Sequence, residues 1–224
     1  MIFYTHPVSS VGRPVAFFIA DDGIEVEQQV VDLFTGEQYG PAFAAVNPNN
    51  VVPVLQDGDF RLTESSAILK YLADMAGSPA YPKDLHARAR VNATMDWFNT
   101  GFYRTHGYGL CYAQLLDPYK LADPTGQAQA LAAAKAGAEK YLNVLNDHML
   151  GDGRAHLCGA TITIADYFGS GLISLGEVIG CTYANWPNVV RWYDRMKARP
   201  NWAATNGAVQ GWADMVRGPA YVTV

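Results

Sequence analysis

Long apolar runs are absent from the chain: no window of 18 consecutive apolar residues occurs, which excludes a membrane-spanning helix. Cysteine is scarce, at three residues, and Cys111, Cys158 and Cys181 have no CxxC spacing and no nearby His pair. That pattern argues against a disulfide framework and a zinc site, and reads as buried free thiols in a reducing cytosol. Residues 1–15 lack the basic and apolar regions of a secretory signal, so no export is expected. Charge is sparse as well, at 17% of 224 residues, and the net value of -5 leaves no basic excess for nucleic acid. What the chain does have is apolar mass: 50% hydrophobic residues suit a sizeable core and exclude a disordered polymer.

The few charges are unevenly placed. Up to Asp84 there are 4 basic and 11 acidic residues, net -7, and beyond it 12 and 10, net +2. All five tryptophans lie in the second part, while the first carries short β-branched runs broken by Gly, Asp and Asn. Two domains are expected, residues 1–76 and 85–224, joined by a linker over 77–84 that contains Gly77-Ser78-Pro79. Within the first, residues 2–5, 26–31, 51–55 and 60–62 have strand length and composition, the last two flanking a hairpin turn at Gln56-Asp57-Gly58-Asp59. Helices are expected over 14–20, with Pro14 in the first turn, over 39–46, and over 65–76, giving a βαβ-α-ββα order. The second domain reads as all helix, over 85 to about 115, 126–150, 163–179 and 187–199.

Three stretches of the first domain carry chemistry. In Asn47-Pro48-Asn49-Asn50-Val51-Val52-Pro53, a proline within an apolar strand belongs at an edge or a first residue. A trans edge proline is the plainer reading from spacing; a cis bond would turn the backbone of Val52 outward to pair with an extended peptide. In Thr63-Glu64-Ser65-Ser66, Ser65 opens a helix whose free N–H groups suit a carboxylate, with Glu64 beside it for an ammonium. Simple capping explains the same serine. In His6-Pro7-Val8-Ser9-Ser10-Val11-Gly12-Arg13, a hydroxyl at a helix start can donate to a thiolate and lower its pKa, or can merely cap. His6 has no acid or nucleophile at a meaningful spacing and reads as structural or exposed.

Taken together and in this order, the three motifs resemble the cytosolic glutathione transferase superfamily, nearest its bacterial theta-like and delta-like serine classes. The resemblance covers essentially the whole chain and rests most on Val52-Pro53-Val54-Leu55 with Glu64-Ser65-Ser66-Ala67-Ile68. It implies an α/β plus all-α architecture: a thioredoxin-like N-terminal domain with a cis proline, then an all-helical domain. By resemblance, Val52 pairs its backbone with the cysteinyl part of glutathione, Pro53 is the cis proline, and Glu64 and Ser65 bind the γ-glutamyl group. Ser9, four residues before Arg13, is implied as the thiolate donor, with Ser10 the close runner-up because the Ser-x-Pro-Cys-Arg form is missing. Gln38, in Gly36-Glu37-Gln38, stands where delta-like relatives carry His and is the expected contact of the glycyl carboxylate. Thr163-Ile164-Ala165-Asp166 resembles the Ser/Thr-x-x-Asp capping box, a structural element.

The implied activity is transferase chemistry of the detoxification type: glutathione, as co-substrate, attacks an apolar electrophile without a metal. The second substrate is expected against Phe102, Tyr103, Arg104, His106 and Tyr108, with Trp97 and Phe98 read as interface core. The segment from Trp202 onward, with Trp212 and Tyr221, either covers that pocket or packs on the helices. Glutathione-dependent dehalogenation, peroxide reduction or isomerisation would use the same first site, as would a glutathione-binding scaffold without turnover. A cytoplasmic homodimer is implied, with no nucleic-acid or membrane partner.

Overall fold

The computed structural model of the chain describes residues 1–218 and 220–224. Four short strands, β1 (Ile2–Thr5), β2 (Glu27–Val30), β3 (Val54–Asp57) and β4 (Phe60–Leu62), form one sheet in the order β2-β1-β3-β4. The β1–β2 pair is parallel, because α1 (Gly12–Asp22) crosses between them, and the other pairs are antiparallel. After a 3-10 turn at Glu37–Tyr39 come α2 (Pro41–Ala44) and, beyond β4, α3 (Ser65–Met75). This is the thioredoxin-like arrangement. The observed third strand starts three residues later than expected, since Pro53 has no N–H to offer the ladder. Gln56 and Asp57, expected in the turn, pair with Arg61 and Phe60, so the hairpin closes over Gly58-Asp59 alone.

Period-two alternation splits the sheet's faces. Phe3 and Leu55 join α1 and α3 in a core that runs on into the helical half, while Tyr4 and Val54 pack with Val31, Phe43 and Val52 on the other face. The helical half begins with α4 (Leu85–Asp96), capped by Asp84 accepting from the Ala87 N–H. Without a break it passes into a wide segment, Trp97–Tyr112, with i→i+5 geometry, and ends as α5 (Ala113–Leu115). Then follow α6 (Pro124–Val144), with a wide last turn over Leu145–Met149, α7 (Ile164–Ser174) running into a 3-10 turn at Leu175–Ile179, and α8 (Pro187–Lys197). Two further helices, α9 (Trp202–Asn206) and α10 (Ala208–Met215), were not expected from the sequence.

Small residues bring the wide segment and α6 into close contact. A Cβ on Gly101 would lie 2.6 Å from the Tyr141 ring, and one on Gly109 only 3.0 Å from the Cβ of Ala134. At the seam between the halves, the buried carboxylate of Asp21 in α1 accepts from Arg199 Nε at 2.5 Å, Tyr167 Oη at 3.0 Å and Asn201 Nδ2 at 2.9 Å. The capping box of α7 is complete, Thr163 and Asp166 each bonding the other's backbone N–H. Asp166 is wholly buried and also accepts from Leu157 N and Trp192 Nε1. Among the described residues no helix is long and apolar enough to cross a membrane, and no group of three His, Cys, Asp or Glu side chains is placed to hold a metal.

Candidate active site

A cleft of about 700 Å³ opens between the sheet domain and the helices. Its polar end is made by Gln38, Asn50, Val52, Pro53, Glu64 and Ser65, its aromatic end by Tyr103, Tyr108, Tyr112, Tyr119 and Trp212, and Ser9 and Ser10 lie on its lining too. The loop after β1 reaches it because α1 starts late. His6 Nδ1 accepts the Val8 N–H at 3.2 Å, the Ser9 N–H bonds the His6 carbonyl, and the Arg13 N–H bonds that of Ser9. His6 is thus a buried structural residue, and burial lowers its pKa against the opposing pull of Asp32. Gly12 is obligatory here, since a Cβ would stand 2.3 Å from Thr5 Oγ1 and 3.1 Å from the Ser9 side chain.

The two serines differ in what their protons are doing. Ser9 Oγ accepts the Gly12 N–H at 3.0 Å, and among the described residues its own proton is given to no protein group. Ser10 Oγ lies 2.8 Å from Tyr103 Oη and 2.6 Å from Tyr112 Oη, which are 2.9 Å from each other. Three hydroxyls with one proton each close a ring that uses all three. Burial pushes the Tyr103 hydroxyl well up and that of Tyr112 to about 12, so both stay protonated near neutrality and the ring stays closed. Of the two serines, Ser9 is the one left, among the described residues, with a hydroxyl proton to donate.

At the polar end, Val52 precedes the first paired residue of β3, so its backbone groups stand outside the sheet registers. The Val52–Pro53 bond is cis. The fully buried Asn47 braces this turn, Nδ2 donating to the Val51 carbonyl at 2.7 Å and Oδ1 accepting from the Asn49 N–H. Glu64, at the N-cap of α3, has φ 65° and ψ 109°, a conformation that costs a non-glycine residue about 1–3 kcal/mol. Ser65 is buried at the first helical position, where helix N–H groups have no intrahelical partner. Gln38 is also buried, and its amide oxygen takes no hydrogen bond from the described protein.

The aromatic end corrects part of the sequence reading. Phe102 and His106 are fully buried in the helical core and line no part of the cleft. Phe102 stacks on His106, whose Nε2 meets Tyr183 Oη at 2.9 Å, and burial lowers the imidazole to about 3. Arg104 is exposed and outside the lining. Tyr103 and Tyr108 do line it, joined by Asn99, Tyr112, Leu116, Tyr119 and Trp212. The reason is helix width. Asn99, Tyr103, Tyr108 and Tyr112 recur at intervals of 4, 5 and 4, which i→i+5 winding at ~4.4 residues per turn keeps on one face. At 3.6 per turn Tyr108 would fall about 180° from Asn99. Trp212, on one of the unforeseen helices, reaches the cleft, while Tyr221 packs back onto the Val216 carbonyl. The cysteine thiols are pushed up by burial and offer no nucleophile.

Two family models match the chain, "Glutathione S-transferase, N-terminal domain" over residues 1–74 and "Glutathione S-transferase, C-terminal domain" over residues 111–200. It is 36% identical over 203 residues to glutathione S-transferase theta-1 of Homo sapiens, covering 87% of this chain and 81% of that protein. To the theta-2 protein of the same organism it is 35% identical over 205 residues, covering 91% and 78%. Among solved structures, the apo form of human glutathione-S-transferase T1-1 superposes with a TM-score of 0.83 at 31% identity, over 95% of this chain and 90% of that one. Human glutathione transferase theta-2, in complex with glutathione and an unknown ligand, does so with a TM-score of 0.83 at 29% identity, over 96% and 91%.

Proposed function

The chain belongs to the glutathione S-transferase family, and on that footing we propose that it is a glutathione transferase in which Ser9 holds the thiolate. The observation that carries the assignment is the proton count: Ser9 has a hydroxyl proton to give, and Ser10 has spent its own on the tyrosine ring. Glutathione lies extended along the edge at Val52, its γ-glutamyl ammonium at Glu64 and carboxylate at Ser65 and the first turn of α3. Gln38 takes the glycyl carboxylate through its amide N–H. The cysteinyl thiol then reaches the Ser9 hydroxyl, where a charge-assisted hydrogen bond favours its anion.

The thiol proton leaves to water, and the thiolate attacks an electrophilic carbon held against Tyr103, Tyr108, Tyr112, Tyr119 and Trp212. The new S–C bond forms as the bond to the leaving group breaks. The nucleophile belongs to the bound tripeptide and not to the protein. Ser9→Ala should raise the bound-thiol pKa, read from thiolate absorbance against pH, by about 1–2 units, the worth of one hydrogen bond to a charge. Ser10→Ala should leave it within about half a unit. The reverse pattern sinks the assignment, and rates with aryl halides, epoxides and alkyl halides define the electrophile.

The same reading carries the domain limits 1–76 and 85–224 about a linker, a cytoplasmic location and a homodimer. Free cysteines support the location. Half-exposed Phe60, tilted against the Tyr71 ring, and exposed Met75 and Leu85 supply apolar surface for a second copy. Sedimentation velocity decides the oligomeric state.

A further inference from the structure

Arg13 is 1% exposed, yet no carboxylate lies within ion-pair distance of it among the described residues. Every partner of its guanidinium is neutral. Nε donates to the Ser9 carbonyl at 3.3 Å, Nη1 to Ser174 Oγ at 2.8 Å and to Asn206 Oδ1 at 3.2 Å, and Nη2 is buried with no acceptor. The ionisable groups facing it are Tyr103 and Tyr112 of the wide segment, Tyr193 of α8 and Glu177 after α7. Glu177 is the one acid among them, and it is a third exposed and bonded to Lys197. Burial pulls the guanidinium down to about 10, so it stays charged across the working range.

A buried cation without a counter-charge opposes folding. Its place makes this worse: Arg13 is in the first turn of α1, where the helix end is already partly positive and an acid is the favoured residue. Two positive sources therefore converge behind the Ser9 loop, and among the described residues the one acid facing them is Glu177, already bonded to Lys197. An anion at the Ser9 hydroxyl is the missing charge. We propose that Arg13 is a positioning residue of the transferase site, holding the Ser9 backbone and supplying the uncompensated positive charge that favours the bound thiolate. The proposal rests on the glutathione site described above.

A unit charge on the order of 8 Å away, at an effective dielectric constant near 20, moves a pKa by about 1.5 units, roughly 30-fold in thiolate fraction. The test is the pKa of the bound glutathione thiol, titrated by thiolate absorbance in wild type, Arg13→Lys, Arg13→Gln, Asn206→Asp and Ser9→Ala, each checked for folding by its melting curve. Asn206→Asp keeps the cation and sets a carboxylate against Nη1, so it neutralises the charge without opening a cavity and decides the matter even where Arg13→Gln does not fold. The pKa should rise by about 1–2 units in Arg13→Gln and in Asn206→Asp, and by less than about half a unit in Arg13→Lys. A wild-type pKa in Asn206→Asp, or in folded Arg13→Gln, overturns the proposal. A rise in those two with none in Ser9→Ala upholds Arg13 and removes Ser9 as the donor. A rise in Ser9→Ala alone does the opposite.

Discussion

Replacing Asp166 with alanine separates stability from chemistry. The carboxylate is wholly buried and accepts from the N–H of Leu157 at 2.8 Å, the indole of Trp192 at 2.9 Å and the N–H of Thr163 at 2.8 Å, besides the Thr163 hydroxyl. Truncation leaves three N–H donors without a partner; the hydroxyl can turn elsewhere. Each orphaned buried donor costs about 1–3 kcal/mol, and with one water admitted to the gap the sum is roughly 3–5 kcal/mol. For a chain of this size that corresponds to a fall of about 6–20 °C in melting temperature. Asp166→Asn should cost less, since its carbonyl can keep the Leu157 and Trp192 bonds while the amide faces Thr163. Calorimetry gives the melting temperatures, and kcat/KM measured well below the melting range gives the chemistry, which should stay within about twofold because Asp166 does not line the cleft. A fall in melting temperature below about 3 °C, or a tenfold kinetic loss in folded protein, refutes the reasoning.

Asp21→Ala should weaken the seam between the halves by about 1–3 kcal/mol, discounted because Arg199 is a third exposed, with a melting temperature lowered by about 3–10 °C. Tyr112→Phe breaks two sides of the hydroxyl ring but leaves the Ser10–Tyr103 bond. It should change KM for the electrophile and leave the thiol pKa unmoved, whereas a shifted pKa would show that Ser10 shares the donor role. The folded His106 pKa of about 3 lies below the unfolded value of about 6.5, so between them the unfolded chain binds a proton that the folded one does not. Its stabilising share is intact above about pH 6.5 and is lost on acidification by up to about 1.4 kcal/mol per pH unit. His106→Phe should flatten that acid limb in denaturant titrations at several pH values; an unchanged slope counts against it.

The sheet domain was legible because its signals are local. Pro53 cannot pair in a ladder, Ser65 opens a helix, and β-branched runs with Gly58 between them mark a hairpin; each depends on a few adjacent residues. Ser9 and Ser10 could be narrowed to a pair and no further, since what separates them is a bond to tyrosines about a hundred residues away. Of the contacts expected from the aromatic-rich stretch, Phe102, Arg104 and His106 lie off the cleft, because aromatic content marks the segment but does not say which face of a wide helix meets the cleft. The spacing of Asn99, Tyr103, Tyr108 and Tyr112 was the available signal, visible only to a search at a longer period. Trp212 was noticed, but α9 and α10 were missed: both are short and follow Pro200 and Asn206 without a long amphipathic pattern.

The close seam of Gly101 and Gly109 against Tyr141 and Ala134 also bears on how such an enzyme changes its diet over generations. A wall fixed from behind by close packing of its glycines on the Tyr141 ring and the Ala134 methyl cannot step back to admit a larger guest, and bulk added at either glycine meets α6 at once. Tyr119 is half exposed on a 3-10 turn, so it can drift, shrink or be replaced at little expense to the core, whereas Trp212 is buried in that core and is costly to truncate. New appetites should therefore be written first at position 119, with the tyrosine-lined helix kept as the inherited part.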